Sequence, residues 1–204
     1  MRPHHRPTTP GAGFFEAIQS GEDPTRLSEA ADRAATLLVR GAHDSRDSDI
    51  ADRVLHLADS EGLETLAELW SGSAPDSLAG ALWRLYLLRS WVHADPVGAA
   101  REYEAGQSRA EVARVVAGVA EPPGPEELRR MVDEVLRGIA DGDFADVLLR
   151  AAAFARVVAT GRATLPSPTT AERRGEPVEM TVRMLTLAEQ LEHAGHLELG
   201  RSLA

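Results

Sequence analysis

Residues 75–94 read PDSLAGALWRLYLLRSWVHA, and this stretch decides the fold. On a helical wheel Trp83, Leu87 and Trp91 cover much of one side. The opposite side is covered by five further apolar residues, Leu78, Leu82, Leu85, Leu88 and Val92. Because a helix that is apolar nearly all round is a buried helix, residues 75–94 are predicted to lie at the centre of the fold.

The rest of the chain also shows a helical pattern. Apolar residues recur at intervals of three and four in residues 27–38, 50–57, 112–119, 128–139 and 144–158. No segment alternates apolar and polar residues as a half-buried strand does. The sequence therefore predicts an all-α protein, a compact bundle of about nine helices around the central one.

Local signals place the ends of these helices. The Asp-Pro pairs at 23–24 and 95–96 combine an N-cap carboxylate with a proline at the first helical position. Gly41, Gly106 and Gly161 stand where the apolar pattern ends, as glycines that terminate helices do.

Composition suggests four regions. Residues 1–13 and 162–177 are rich in Pro, Thr, Gly and Arg without apolar periodicity, and each is predicted to be a disordered tail or a flexible linker. Residues 14–161 then form the helical domain. Residues 178–200 form a C-terminal helix tethered to it.

The overall composition excludes several classes of protein. The 204 residues include no cysteine, which excludes disulfides and thiolate chemistry, and the formal net charge is −10. The start of the chain lacks the apolar core of a signal peptide, and the longest apolar run, residues 78–92, is interrupted by Arg84 and Arg89. We expect a cytoplasmic protein without a membrane span.

One polar stripe on the central helix is a candidate ligand site. Tyr86, Arg89 and His93 share a face with Leu82, and a buried arginine needs a carboxylate or a bound anion. One interpretation is a small-anion pocket based on Arg89 and His93. The alternative is an internal ion pair with a purely structural role.

A second candidate is nucleic-acid binding. Residues 108–120 (SRAEVARVVAGVA) resemble the first helix and turn of a helix-turn-helix, although the spacing between Ala113 and Gly118 is one residue too long. Arg129 and Arg130 on the next helix have the charge to contact phosphate. The acidic net charge argues against a nucleic-acid surface, which requires a concentrated basic face.

The sequence predicts neither a metal site nor a cofactor. Glu189, His193 and His196 have spacings that begin some metal sites, but they lie opposite the apolar side of their helix, where ligands from other helices do not converge. No phosphate-binding loop is possible around residues 11–13, because no strand precedes it and the chain has no lysine.

Four segments carry a resemblance to a known family. Residues 10–15 (PGAGFF), 66–72 (LAELWSG), 81–86 (ALWRLY) and 122–125 (PPGP) together resemble an uncharacterised helical family of actinobacteria. Some members carry the label of an RNA polymerase β subunit, which would imply a link to transcription. A true β subunit is a far larger mixed protein with basic channels, so no catalytic residue is carried over.

Three functional hypotheses follow. The first is a non-catalytic helical protein that acts through a protein partner, with the tethered C-terminal helix as its docking element. The second is a transcription-associated protein that contacts DNA or RNA polymerase. The third is an enzyme or small-anion binder that uses Arg89 and His93.

Overall fold

The computed structural model describes residues 24–41, 63–107, 123–136, 143–165 and 176–203, which form seven helices and no strand. The predicted all-α fold is confirmed. The predicted number of about nine helices does not match these seven; the expected helices at 50–57 and 112–119 lie outside the described residues. In chain order the helices are α1 (Pro24–Arg40), α2 (Leu63–Trp70), α3 (Leu78–Ala94), α4 (Pro96–Gln107), α5 (Pro125–Leu136), α6 (Phe144–Thr164) and α7 (Glu176–Leu199).

Helix α3 corresponds to the stretch that decides the fold, and it packs against every other described helix. It begins at Leu78, three residues after the predicted start, because the Ser77 hydroxyl accepts a hydrogen bond from the amide of Gly80 at 3.1 Å and caps the helix. One side is fully buried, as predicted: Leu78, Leu82, Leu85, Leu88 and Val92. The other side is more open than expected, since Leu87 remains 39% exposed and Trp83 and Trp91 are half-buried.

Helix α6 is a second buried axis of the bundle. Its buried residues include a run of alanines at 151–153 and at 155, so neighbouring helices can approach it closely. Helix α7 packs along one side of it and α4 along another. The core is therefore built around two helices, α3 and α6, and not around α3 alone.

Two glycines predicted to end helices allow two helices to cross in close contact. Gly106 lies one residue before Gln107, the last residue of α4, as predicted, whereas Gly161 lies inside α6, which continues to Thr164. A Cβ atom on Gly106 would stand 1.9 Å from the carbonyl oxygen of Val157, and one on Gly161 would stand 1.7 Å from that of Glu102. These glycines are required for packing, because any side chain would collide with the facing backbone.

The C-terminal helix is an integral part of the bundle. Helix α7 packs along α6 through a buried face made of Met184, Ala188, Leu191 and Ala194. The predicted linker at 162–177 starts too early, because residues 162–164 are helical and the amide of Leu165 still bonds to the carbonyl of Gly161 at 3.0 Å. Residues 166–175 lie outside the described part of the chain.

Arginine–carboxylate pairs join the helices to one another. Arg162 of α6 holds both carboxylate oxygens of Glu102 on α4, with distances from 2.8 to 3.0 Å, and its guanidinium lies 5.3 Å from the ring centroid of Trp91. The planar guanidinium of arginine allows this bidentate contact, which a lysine ammonium cannot make. Similar pairs join other helices: Arg40 with Glu198, Arg89 with Asp133, Arg150 with Glu127, and Arg156 with Glu192.

None of the described helices combines the length and the apolar character that a membrane span requires.

Candidate interaction groove

The structure places the predicted polar stripe of α3 against α5. The guanidinium of Arg89 forms an ion pair with the carboxylate of Asp133, and both side chains are largely shielded, at 16% and 22% exposure. Tyr86 stacks on Trp83 with ring centroids 5.7 Å apart. This is the geometry of the internal ion pair, since the charge of Arg89 is compensated inside the bundle. Anion binding at this stripe stays a prediction.

His93 lies at the exposed end of the same stripe. Its Nε2 accepts a hydrogen bond from Nε of Arg129 at 3.3 Å, which requires that nitrogen to be unprotonated. Partial burial lowers the pKa of His93, and the positive charges of Arg89 and Arg129 lower it further. Both effects favour the neutral imidazole, a form that offers an anion no positive charge.

The predicted nucleic-acid residues lie on α5. Arg129 donates to the carboxylate of Glu126 at 3.1 Å as well as to His93, whereas Arg130 is exposed. The helix-turn-helix candidate at 108–120 lies outside the described residues. Nucleic-acid binding stays a prediction, and the position of neither arginine favours it.

The candidate metal residues of α7 point away from the core. Glu189, His193 and His196 are all exposed, in the orientation that the helical wheel predicts. In the described part of the chain no three metal-binding side chains come together.

An open groove, which no sequence pattern predicted, runs between α3 and α7. Its volume is about 270 Å³. Most of its surface is apolar, because Trp83 and Leu87 project from α3 towards Val182 and Leu187 on α7. Four further residues with polar side chains also line it, Arg84, Arg183, Thr186 and Gln190.

The apolar surface continues beyond the groove along α7. Val178, Val182 and Leu185 are 66%, 55% and 38% exposed, and their spacing of four and three residues aligns them on one stripe of the helix. Leu87 lies 39% exposed on the facing helix. Single exposed apolar residues are ordinary, but a continuous apolar strip beside a groove is typical of a binding surface.

One charged side chain in the groove forms no ion pair within 4.0 Å among the described residues. Arg84 donates from Nε to the side-chain oxygen of Gln190 at 2.7 Å and from Nη1 to the carbonyl of Gly80 at 2.8 Å, and both acceptors are neutral. Burial lowers the pKa of Arg84, and the negative charge of Asp76 partly offsets that effect. Every other half-buried arginine of the described residues pairs with a carboxylate, namely Arg89, Arg129, Arg150, Arg156 and Arg162.

The second apolar stripe of α7 was legible in the sequence. The sequence assigns Met180, Met184, Leu187 and Leu191 to the side of residues 178–200 that faces the bundle; Met184 and Leu191 are buried there, whereas Met180 is 43% exposed. Val178, Val182 and Leu185 form a separate stripe on a different side of the helix. A helix with apolar residues beyond the width of one packing face has a second surface to cover.

No protein-family model, curated protein or solved structure matches this chain. Function is therefore inferred from side-chain chemistry and geometry.

Proposed function

We propose that this is a non-catalytic, cytoplasmic interaction protein that binds a partner protein in the groove between α3 and α7. The observation that carries the proposal is the apolar surface of the groove, formed by half-buried Trp83 and exposed Leu87 and Val182, together with the exposed Val178 and Leu185 of α7. Leaving this surface in water is unfavourable, and a protein surface that covers it recovers that free energy on binding.

The composition of the groove supports a protein partner over a small metabolite. Trp83 lines the groove and is half-buried, and it provides a large and rigid contact area, as tryptophan does at the centres of protein interfaces. The groove is open along its length and not an enclosed cavity, so it suits a side-chain ridge from another protein.

The proposed docking surface is the groove and not the tethered C-terminal helix expected from the sequence. Helix α7 was predicted to dock as a tethered helix, but its buried face already packs on α6. Removing residues 162–204 would therefore expose the core and unfold the bundle. The part of α7 that is free to bind a partner is its outer stripe, while the helix stays in place.

The test is a comparison of two charge-matched double variants. Leu87→Asp/Val182→Asp places two carboxylates in the groove, while Val97→Asp/Leu199→Asp places two at positions 78% and 57% exposed, neither of which lines the groove. Each tagged protein is incubated with lysate of its own host, and bound proteins are quantified by mass spectrometry. The strongest candidate is then purified and its affinity is measured by calorimetry.

We expect a partner that binds the parent and the control variant equally and binds the groove variant at least about 10-fold more weakly, because the two aspartates replace apolar surface that the partner covers, and removing a carboxylate from water is costly. Circular dichroism must show that both variants remain folded. Equal calorimetric affinities of the purified candidate for the groove and control variants would refute the proposal.

A further inference from the structure

We infer that the occupant of the groove is an amphipathic helix of the partner that presents a carboxylate to Arg84. This inference rests on the proposed function and specifies the chemistry of the partner. Three observations carry it: the charge of Arg84, which forms no ion pair with a carboxylate of the described residues, the helical walls of the groove, and the ion pair that Arg183 already forms.

The guanidinium of Arg84 is held in place by hydrogen bonds but forms no ion pair with a carboxylate of the described residues. Its Nε and Nη1 groups are fixed by Gln190 and Gly80, which leaves Nη2 without a protein acceptor among the described residues. Burial lowers its pKa, and a carboxylate beside it would relieve that cost. A partner carboxylate would form a charge-assisted hydrogen bond in a partly shielded site, where such bonds are strong.

The walls of the groove favour a helix over an extended strand. Both walls are α-helices, α3 and α7, whose central backbone groups are already bonded within the helix. An extended segment would find no edge to pair with and would leave its own amide groups unsatisfied against Trp83, Leu87 and Val182. A helix satisfies its own backbone and inserts a ridge of apolar side chains spaced by three and four residues.

The remaining polar groups attract an acidic partner less strongly than Arg84 does. Arg183 is 70% exposed, so water screens its charge, and it pairs with Glu179 at 2.5 Å, while Thr186 and Gln190 are neutral. Arg84 is therefore the one cation among the described groove residues without a carboxylate partner. A basic partner would meet this charge unfavourably, so the groove discriminates by charge as well as by shape.

The test is selection from a helical peptide library. The library fixes leucine at positions i, i+3, i+4 and i+7 of an alanine-rich helix of about five turns, and it varies the flanking positions among Glu, Gln and Lys. It is displayed on yeast and sorted against the full-length parent, Arg84→Gln, Arg101→Gln and the groove variant Leu87→Asp/Val182→Asp. Arg101 is exposed on α4, so its replacement removes the same charge at a position that does not line the groove.

We expect Glu to be enriched at one flanking position on the parent and on Arg101→Gln, and this preference to be lost on Arg84→Gln. A synthetic peptide from the selection should bind the parent about 10-fold or more tighter than its Glu→Gln counterpart by fluorescence anisotropy, as a charge-assisted hydrogen bond in a shielded site predicts. Arg84→Gln should bind the two peptides equally.

The two proposals fail in different ways. If peptides are enriched on the parent over the groove variant but Glu, Gln and Lys occur equally, the groove binds helices without using Arg84 and the inference is overturned. If no peptide is enriched over the groove variant, the proposed function itself is contradicted. Concentration-dependent self-association that disappears in the groove variant would identify a second copy of the chain as the occupant and overturn the inference.

Discussion

The crossing of α4 and α6 gives the most demanding test of the packing. Replacing Gly161 with alanine places a Cβ atom 1.7 Å from the carbonyl oxygen of Glu102 and 2.7 Å from the amide nitrogen of Gly106. Both obstacles are backbone atoms, so no side-chain rotation relieves the collision. The two helices must separate by about 1.3 Å before the contact reaches even the shortest distance that real Cβ atoms show.

The expected cost follows from overpacking. Forcing extra atoms into a packed core costs about 1–3 kcal/mol, and a backbone obstacle places this case at the upper end. The higher helix propensity of alanine recovers about 1 kcal/mol. We therefore expect Gly161→Ala to lower the free energy of unfolding by about 2 kcal/mol, which lowers the melting temperature by about 4–8 °C in a chain of this size.

Gly195→Ala is the matched control, because Gly195 is also buried and helical. A Cβ atom there would stand 2.9 Å from Leu149, but the obstacle is a side chain that can move, so we expect a change below about 1 kcal/mol. Urea denaturation and thermal melts followed by circular dichroism measure both variants. Equal stability of Gly161→Ala and the parent would show that α4 and α6 do not cross in this close contact.

Three further outcomes are expected. Glu102→Gln leaves the shielded guanidinium of Arg162 without a counter-charge and should cost about 2–3 kcal/mol in urea denaturation, whereas a cost below about 0.5 kcal/mol would make the pair dispensable. The NMR titration midpoint of His93 should lie below 6.5 and should rise in Arg129→Gln, because the positive charge of Arg129 lowers the pKa. Since the folded-state pKa is depressed, the contribution of His93 to stability is present above pH 6.5 and is lost as the pH falls through the folded-state pKa. An unchanged midpoint in Arg129→Gln would contradict the assigned cause. Trp70→Phe removes the indole donor that bonds a carbonyl of α1 at 3.2 Å in the buried core, and it should cost about 2 kcal/mol with a lower melting temperature; an unchanged midpoint would place Trp70 outside the core.

The sequence predicts the fold class well because the apolar pattern is strong. Five positions of α3, from Leu78 to Val92, are spaced to bury one side of a helix, and all of them are buried. The start of α4 follows from Asp95, whose carboxylate accepts from the amide of Gly98 at 2.9 Å, as an N-cap residue does. These are local rules, which depend on neighbours along the chain and need no knowledge of the tertiary structure.

Features that depend on two distant segments were not predictable in the same way. Gly161 has the sequence context of a helix end, and only the presence of Gly106 across the interface shows that it is a crossing point. The same holds for Arg89, whose need for a counter-charge was evident while its partner Asp133 was not.

The groove escaped prediction for a related reason. Trp83 and Leu87 were expected to be buried because they are apolar, but the number of helices that surround α3 is not encoded in α3 itself. Arg84 lies between them, and in the sequence it is visible only as a charge that interrupts an apolar run. Its lack of a carboxylate partner is a property of the assembled bundle.

The exclusive use of arginine in the pairs between helices makes the response of this protein to pH asymmetric. A lysine ammonium loses its proton near pH 10, whereas a guanidinium keeps its charge well beyond that range. The links that join α6 to α4, α5 and α7 therefore persist in strongly alkaline solution. Acid weakens each ion pair by protonating its carboxylate. We therefore expect the bundle to lose stability at acidic pH before it does so at alkaline pH.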